Sequence, residues 1–175
     1  MVQALTSVTF LYGVQEDRIL AAINPGRPDA WSCWLTRRVT LLLLDRITEL
    51  LANTSSLTQR TPAPLRGEIM AFEHAAAMAK TAERMSRTPA DVLNASAAAA
   101  ELVKSMTLTS QGDLFRVELT GFNGGGAEGV LARVGLQRVL QMLQDEVTKA
   151  GWLPADRKAQ PVLAADEQSS APRRH

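Results

Sequence analysis

Residues 8–35 read VTFLYGVQEDRILAAINPGRPDAWSCWL, and the spacing of apolar positions in this stretch decides the fold class. Val8, Phe10, Tyr12 and Val14 alternate with Thr9, Leu11 and Gly13, a period of two that predicts a half-buried strand. A polar turn at Gln15-Glu16-Asp17 leads into the apolar run Arg18 to Ile23, which stops at Asn24-Pro25-Gly26. After a second turn at Arg27-Pro28-Asp29, the aromatic-rich segment Ala30 to Leu35 predicts a third strand. Three strands in antiparallel meander are expected.

Downstream the period changes. Thr36 is placed to cap a helix over Arg37 to about Asn53, with Val39, Leu42, Leu43, Ile47, Leu50 and Leu51 at helical spacing. Leu41 and Leu44 widen that stripe, so the helix is expected to pack on more than one side. Residues 54–64 have a linker composition, and Pro64 suits the first turn of a following helix. That helix carries a thin stripe of Leu65, Ile69, Phe72, Ala76 and Ala79. Thr88-Pro89-Ala90-Asp91 signals the start of another, with Val92, Ala95, Ala99 and Leu102 on one face. The two Ala-rich helices are expected to form an antiparallel pair.

From Met106 the period returns to two, with strands at 106–109 and 114–120 around a turn at 110–113. Phe122 to Gly126 reads as a flexible exit, after which Val130, Val134, Leu136, Val139, Leu140, Leu143 and Val147 predict a long helix ending near Gly151. Trp152 and Leu153 can fold back on it. Residues 154–175 are polar and aperiodic and are expected to be a disordered tail.

The two ends of the chain echo each other. Thr9, Arg18 and Gly26 correspond to Thr107, Arg116 and Gly124, and Arg38-Val39 with Asp45 and Thr48 to Arg138-Val139 with Asp145 and Thr148. The expectation is one α+β domain over residues 1–153, with an antiparallel sheet made from two hairpin-or-meander-plus-helix units. The units would span 5–53 and 105–153, as a pseudo-repeat around an Ala-rich helical insert at 64–104.

Composition narrows the function classes. The chain has 175 residues, 46% hydrophobic and 21% charged, with a formal net charge of +1, which suits one globular domain and not a dedicated nucleic-acid binder. A single cysteine, Cys33, excludes a disulfide framework and a multi-cysteine zinc site. With only His74 and His175, a two-histidine metal site or a histidine-dependent triad has little to draw on. No cofactor is expected. Lys occurs only at 80, 104, 149 and 158, a preference for Arg of the kind GC-rich bacterial coding produces. The first residues lack a basic region and a leader-length apolar run, and Val39 to Leu44 is far short of a membrane span of about 20 residues. A cytoplasmic protein without membrane attachment is expected.

Few motifs suggest chemistry. Gly124, Gly126 and Gly129 match G-x-G-x-x-G between a predicted strand and helix, where backbone N–H groups can cradle a phosphate, with Arg116 or Arg133 as anion partners. The dinucleotide fold would need a parallel βαβ unit there, so a slack connector of small residues is the preferred reading. Cys33 between Trp31 and Trp34 reads as core, and His74 near Glu68, Glu73 and Glu83 reads as solvated or capped. Arg18, Arg27, Arg37, Arg38, Arg46 and Arg116 are the candidates for a nucleic-acid surface, with little aromatic company.

Catalytic side chains are scarce, and the 37–53 helix is apolar on many faces. The reading preferred here is therefore a non-enzymatic protein-interaction or accessory, chaperone-like protein, a homodimer that binds another protein. Its surface would include Leu41, Leu44, Arg37 and Arg38. In architecture alone this resembles small bacterial accessory proteins, secretion-type chaperones among them.

Overall fold

A computed structural model describes residues 1–81 and 88–153. The tail expected at 154–175 lies outside the described residues.

The opening meander forms as β2 (Val8–Gly13), β3 (Arg18–Ile23) and β4 (Trp31–Leu35). The pairing runs Val8 to Ile23 and Ile23 to Trp31, so one face carries Phe10, Ala21 and Cys33 and the other Thr9, Ala22 and Ser32. Before it, β1 (Val2–Ala4) is a three-residue strand with no pattern of its own. Helix α1 (Arg37–Thr54) follows β4 at once, with the Thr36 hydroxyl accepting from the Val39 N–H. Helix α2 (Ser56–Arg60), a 3-10 turn at Ala63–Leu65, α3 (Arg66–Thr81) and α4 (Ala90–Ala99) complete the helical insert. Then come β5 (Glu101–Gln111), β6 (Leu114–Gly121), β7 (Gly126–Ala132) and α5 (Arg133–Lys149).

The seven strands make one sheet in the order β1-β7-β6-β5-β4-β3-β2. It is mixed, and the purely antiparallel sheet expected from the sequence is corrected at two places. β1 runs parallel to β7, and β4 runs parallel to β5, Cys33 opposite Glu101 and Trp34 opposite Leu102. The second is a matter of connection. Parallel neighbours need a long crossover, and α1 with the insert supplies it, returning the chain to the end of the sheet where β4 began.

Three further corrections follow from pairing that local pattern did not show. Gly126 to Ala132 is a strand and not a loop leading into a helix, because β6 and β1 pair with it on either side. The helix expected to carry Leu102 on its face ends at Ala99, and Glu101 onward joins the sheet. The Ala-rich helices do not make a simple pair: α3 packs on α5, and α4 lies on β3 and β4.

Helices α1 and α5 cover one face, and they interlock the halves. α1 follows β4 but also leans on β5, and α5 follows β7 but reaches β2 at the opposite edge. Between them and the sheet, Ile19, Leu35, Ile47, Phe115, Leu136 and Leu140 are fully buried, each contributing about 1.5–3 kcal/mol. On the second face α4 covers β3 and β4, where the Ser32 hydroxyl donates to the Ser96 carbonyl at 2.6 Å. Further along that face, Thr107, Thr109, Arg116 and Glu128 are exposed, the ordinary condition of an antiparallel sheet with one wet side.

Candidate interaction surface

Helix α3 has two unlike faces. Met70 and Ala77 are buried against α5, and between them the inward face is polar. Glu73 pairs with Arg133 at 2.9 Å, their side chains 17% and 19% exposed, and also accepts from the Ser55 hydroxyl. Arg133 donates further to the Leu51 carbonyl and the Thr54 hydroxyl, so the end of α1, the middle of α3 and the start of α5 share one network. His74 places its two ring nitrogens 2.6 Å and 2.7 Å from the side-chain oxygens of Gln137 and Gln141. An ion pair held this way contributes through its extra hydrogen bonds, since desolvation consumes most of the Coulomb gain.

The polar contacts turn the apolar stripe outward. Leu65 is 48% and Phe72 69% exposed, Ala79 is exposed, and Ile69 and Ala76 are half-buried. These five residues form the stripe that the sequence spacing picks out, and at Leu65, Phe72 and Ala79 it stands open to solvent. Large apolar groups on one outward helix face are the usual mark of a contact surface.

On α1, Leu44 is 2% exposed and belongs to the core, which corrects its assignment to a contact surface. Leu41 is half-buried against the core, and the outward leucine is Leu42 at 59%. Arg37 donates to the Trp152 carbonyl at 3.2 Å and Arg38 is exposed.

The glycines are spread over a turn and a strand. Gly124 is in the β6–β7 turn with φ +85°, whereas Gly126 and Gly129 lie within β7. A Cβ on Gly126 would stand 2.6 Å from the Leu119 carbonyl oxygen, so strand packing accounts for that glycine. The helix that follows starts only at Arg133. Both arginines named as anion partners are engaged elsewhere, Arg133 as described and Arg116 with Glu118 and Glu128 at 2.6 Å and 3.0 Å. The Glu118 hydrogen bond, with the charge of both carboxylates, pushes the Arg116 pKa up and holds its guanidinium charged. Arg27 and Arg46 pair with Asp29 and Glu49.

Two concavities among the described residues bear on ligand binding. An apolar one of about 40 Å³ lies in the core beside Phe10, Ile47 and Leu108. It is lined by apolar side chains alone and offers no polar partner to a ligand or a water. A groove of about 370 Å³ runs between α4 and the β3–β4 turn, past Arg27, Trp31, Ser32, Val92 and Ser96. Its polar side chains are already partnered within the chain, Trp31 Nε1 donating to Glu101 at 2.8 Å and Arg27 binding Asp29 and the Thr6 hydroxyl. Among the described residues no three His, Cys, Asp or Glu side chains gather as metal ligands, and no helix is long and apolar enough to cross a membrane.

Two buried polar positions have roles that no spacing in the sequence marks. Asn24 is fully buried with φ +48°, its side-chain oxygen accepting from the Thr6 and Ser7 N–H groups and the Thr6 hydroxyl, its amide donating to Ala4 and Asp29. Glu146, 6% exposed, accepts from the Tyr12 N–H. Both act across long sequence separations.

Comparison of the chain with protein-family models, curated proteins and solved structures finds no match.

Proposed function

We propose that the protein is a non-enzymatic interaction or assembly protein of the cytoplasm that pairs with a second copy of itself and binds another protein. The observation that carries this reading is the outward apolar face of α3. Phe72, with Leu65 in the 3-10 turn just before the helix, is held in water while the polar Glu73 and His74 are turned inward. Burying Phe72 in a partner would recover about 1.5–3 kcal/mol that the single chain forgoes. The arginines and glycines considered for anions support binding chemistry less, since their side chains or backbone are engaged within the fold.

Light scattering should give about twice 19.0 kDa. Phe72→Glu should return a single-chain species that still folds, because Phe72 is 69% exposed and contributes little to the core. A wild-type protein that stays a monomer at high micromolar concentration defeats the dimer. A Phe72→Glu protein that associates as the wild type does removes α3 as the surface.

A further inference from the structure

An open sheet leaves two edges whose backbone groups invite another strand. One edge here is β1, only three residues long. The other is β2, six residues long and apolar. The Asn24 N–H donates to the Ser7 carbonyl at 3.0 Å, which sets the alternation along β2. Thr9, Leu11 and Gly13 bond to β3, and the N–H groups of Val8, Phe10 and Tyr12 face outward.

The outward Tyr12 N–H is taken by a side chain. Glu146, on α5 and 6% exposed, accepts it at 2.8 Å, and Lys149 pairs with the other carboxylate oxygen. Around it the end of β2 is closed over. The Tyr12 and Trp152 rings meet edge to face at 5.6 Å, and Tyr12 Oη and Trp152 Nε1 both donate to Asp17. A carboxylate buried at this place carries a desolvation cost that an apolar residue would avoid. Its gain is a backbone donor that no incoming strand can use.

We propose that Glu146 is an edge guard: it caps β2 and keeps the β2 strand of a second copy from pairing with it edge to edge. Resting on the reading of α3 above, the guard also directs association to the helical face.

Three variants test this. Glu146→Ala should add a larger species to light scattering that the wild type lacks at the same concentration, with amide-exchange protection at Val8 and Phe10 rising as concentration rises. Glu146→Gln, whose side-chain oxygen still accepts from Tyr12, should behave as wild type. Val8→Pro in the Glu146→Ala background should abolish the added species, since the Val8 N–H makes no bond to β3 and proline is tolerated at the first residue of a strand. Association of Glu146→Ala no greater than wild type overturns the proposal, and so does association that Val8→Pro leaves in place, the result expected of a merely unfolded variant. Repeating the set with Phe72→Glu separates the two surfaces: the Glu146→Ala species should persist there whether or not α3 mediates the wild-type dimer.

Discussion

Cys33 is fully buried on β4, paired in register with Glu101 on β5. Burial, with the Glu101 charge adding to it, pushes the thiol up to about 12. A thiolate is the reactive form, so native protein at pH 8 should alkylate far more slowly than protein in denaturant, and equal rates would contradict the burial. The linkage has a definite sign. The folded pKa exceeds the unfolded value of about 8.5, so this group's contribution to stability is complete below pH 8.5 and is lost as pH rises from there toward 12. Denaturation midpoints measured across that range should fall. The core role of Cys33 was legible because a lone cysteine flanked by tryptophans on an alternating strand has nothing nearby to ionise it. Asn24 was legible only as part of a turn. Its partners Ala4, Thr6 and Ser7 lie 17 to 20 residues away, and spacing along one strand carries no trace of them.

At the scale of elements, the sequence separated helix from strand where large side chains kept one period throughout, as in β2 and α1, but it carried the helix of α4 past Ala99 into residues that are strand from Glu101 onward. β7 escaped because GAEGVLA begins with two glycines in four residues, and small residues hide which positions face inward. Its inward set is Ala127, Gly129 and Leu131, opposite Leu119, Val117 and Phe115. Gly126→Val makes the difference measurable. In a ligand-binding loop it would cost binding and leave the fold intact. In β7 the new side chain meets the Leu119 carbonyl, and the forced shift should cost about 1–3 kcal/mol in urea denaturation with no ligand present. Wild-type stability in that variant would reopen the loop reading. For α3 the spacing found the apolar stripe but not its direction. What turns the helix is the Glu73–Arg133 pair and the two glutamines facing His74, contacts over about 60 residues or more.

For the whole molecule, the sequence shows two stretches of strand followed by helix, and what it could not show is how they join. Gly26 and Gly124, which echo each other in sequence, both sit in turns with positive φ, 77° and 85°. The helices, whose echo is Arg38 with Arg138, begin at Arg37 and Arg133, about one turn out of step with it. The join is made through space: β4 beside β5 in parallel, α1 on β5, α5 on β2, and Arg133 at the start of α5 bonded to Leu51 and Thr54 at the end of α1. Neither half buries its apolar face without the other, so neither should fold alone. Equilibrium unfolding should be one transition in which far-UV circular dichroism and tryptophan fluorescence coincide, because Trp31 and Trp34 report on the first half and Trp152 on the end of the second. A fragment of residues 1–61 should remain unfolded in the same buffer. Two separated transitions, or a folded fragment, would mean that the parallel β4–β5 junction and the crossed helices contribute little, and that the halves are independent units placed side by side.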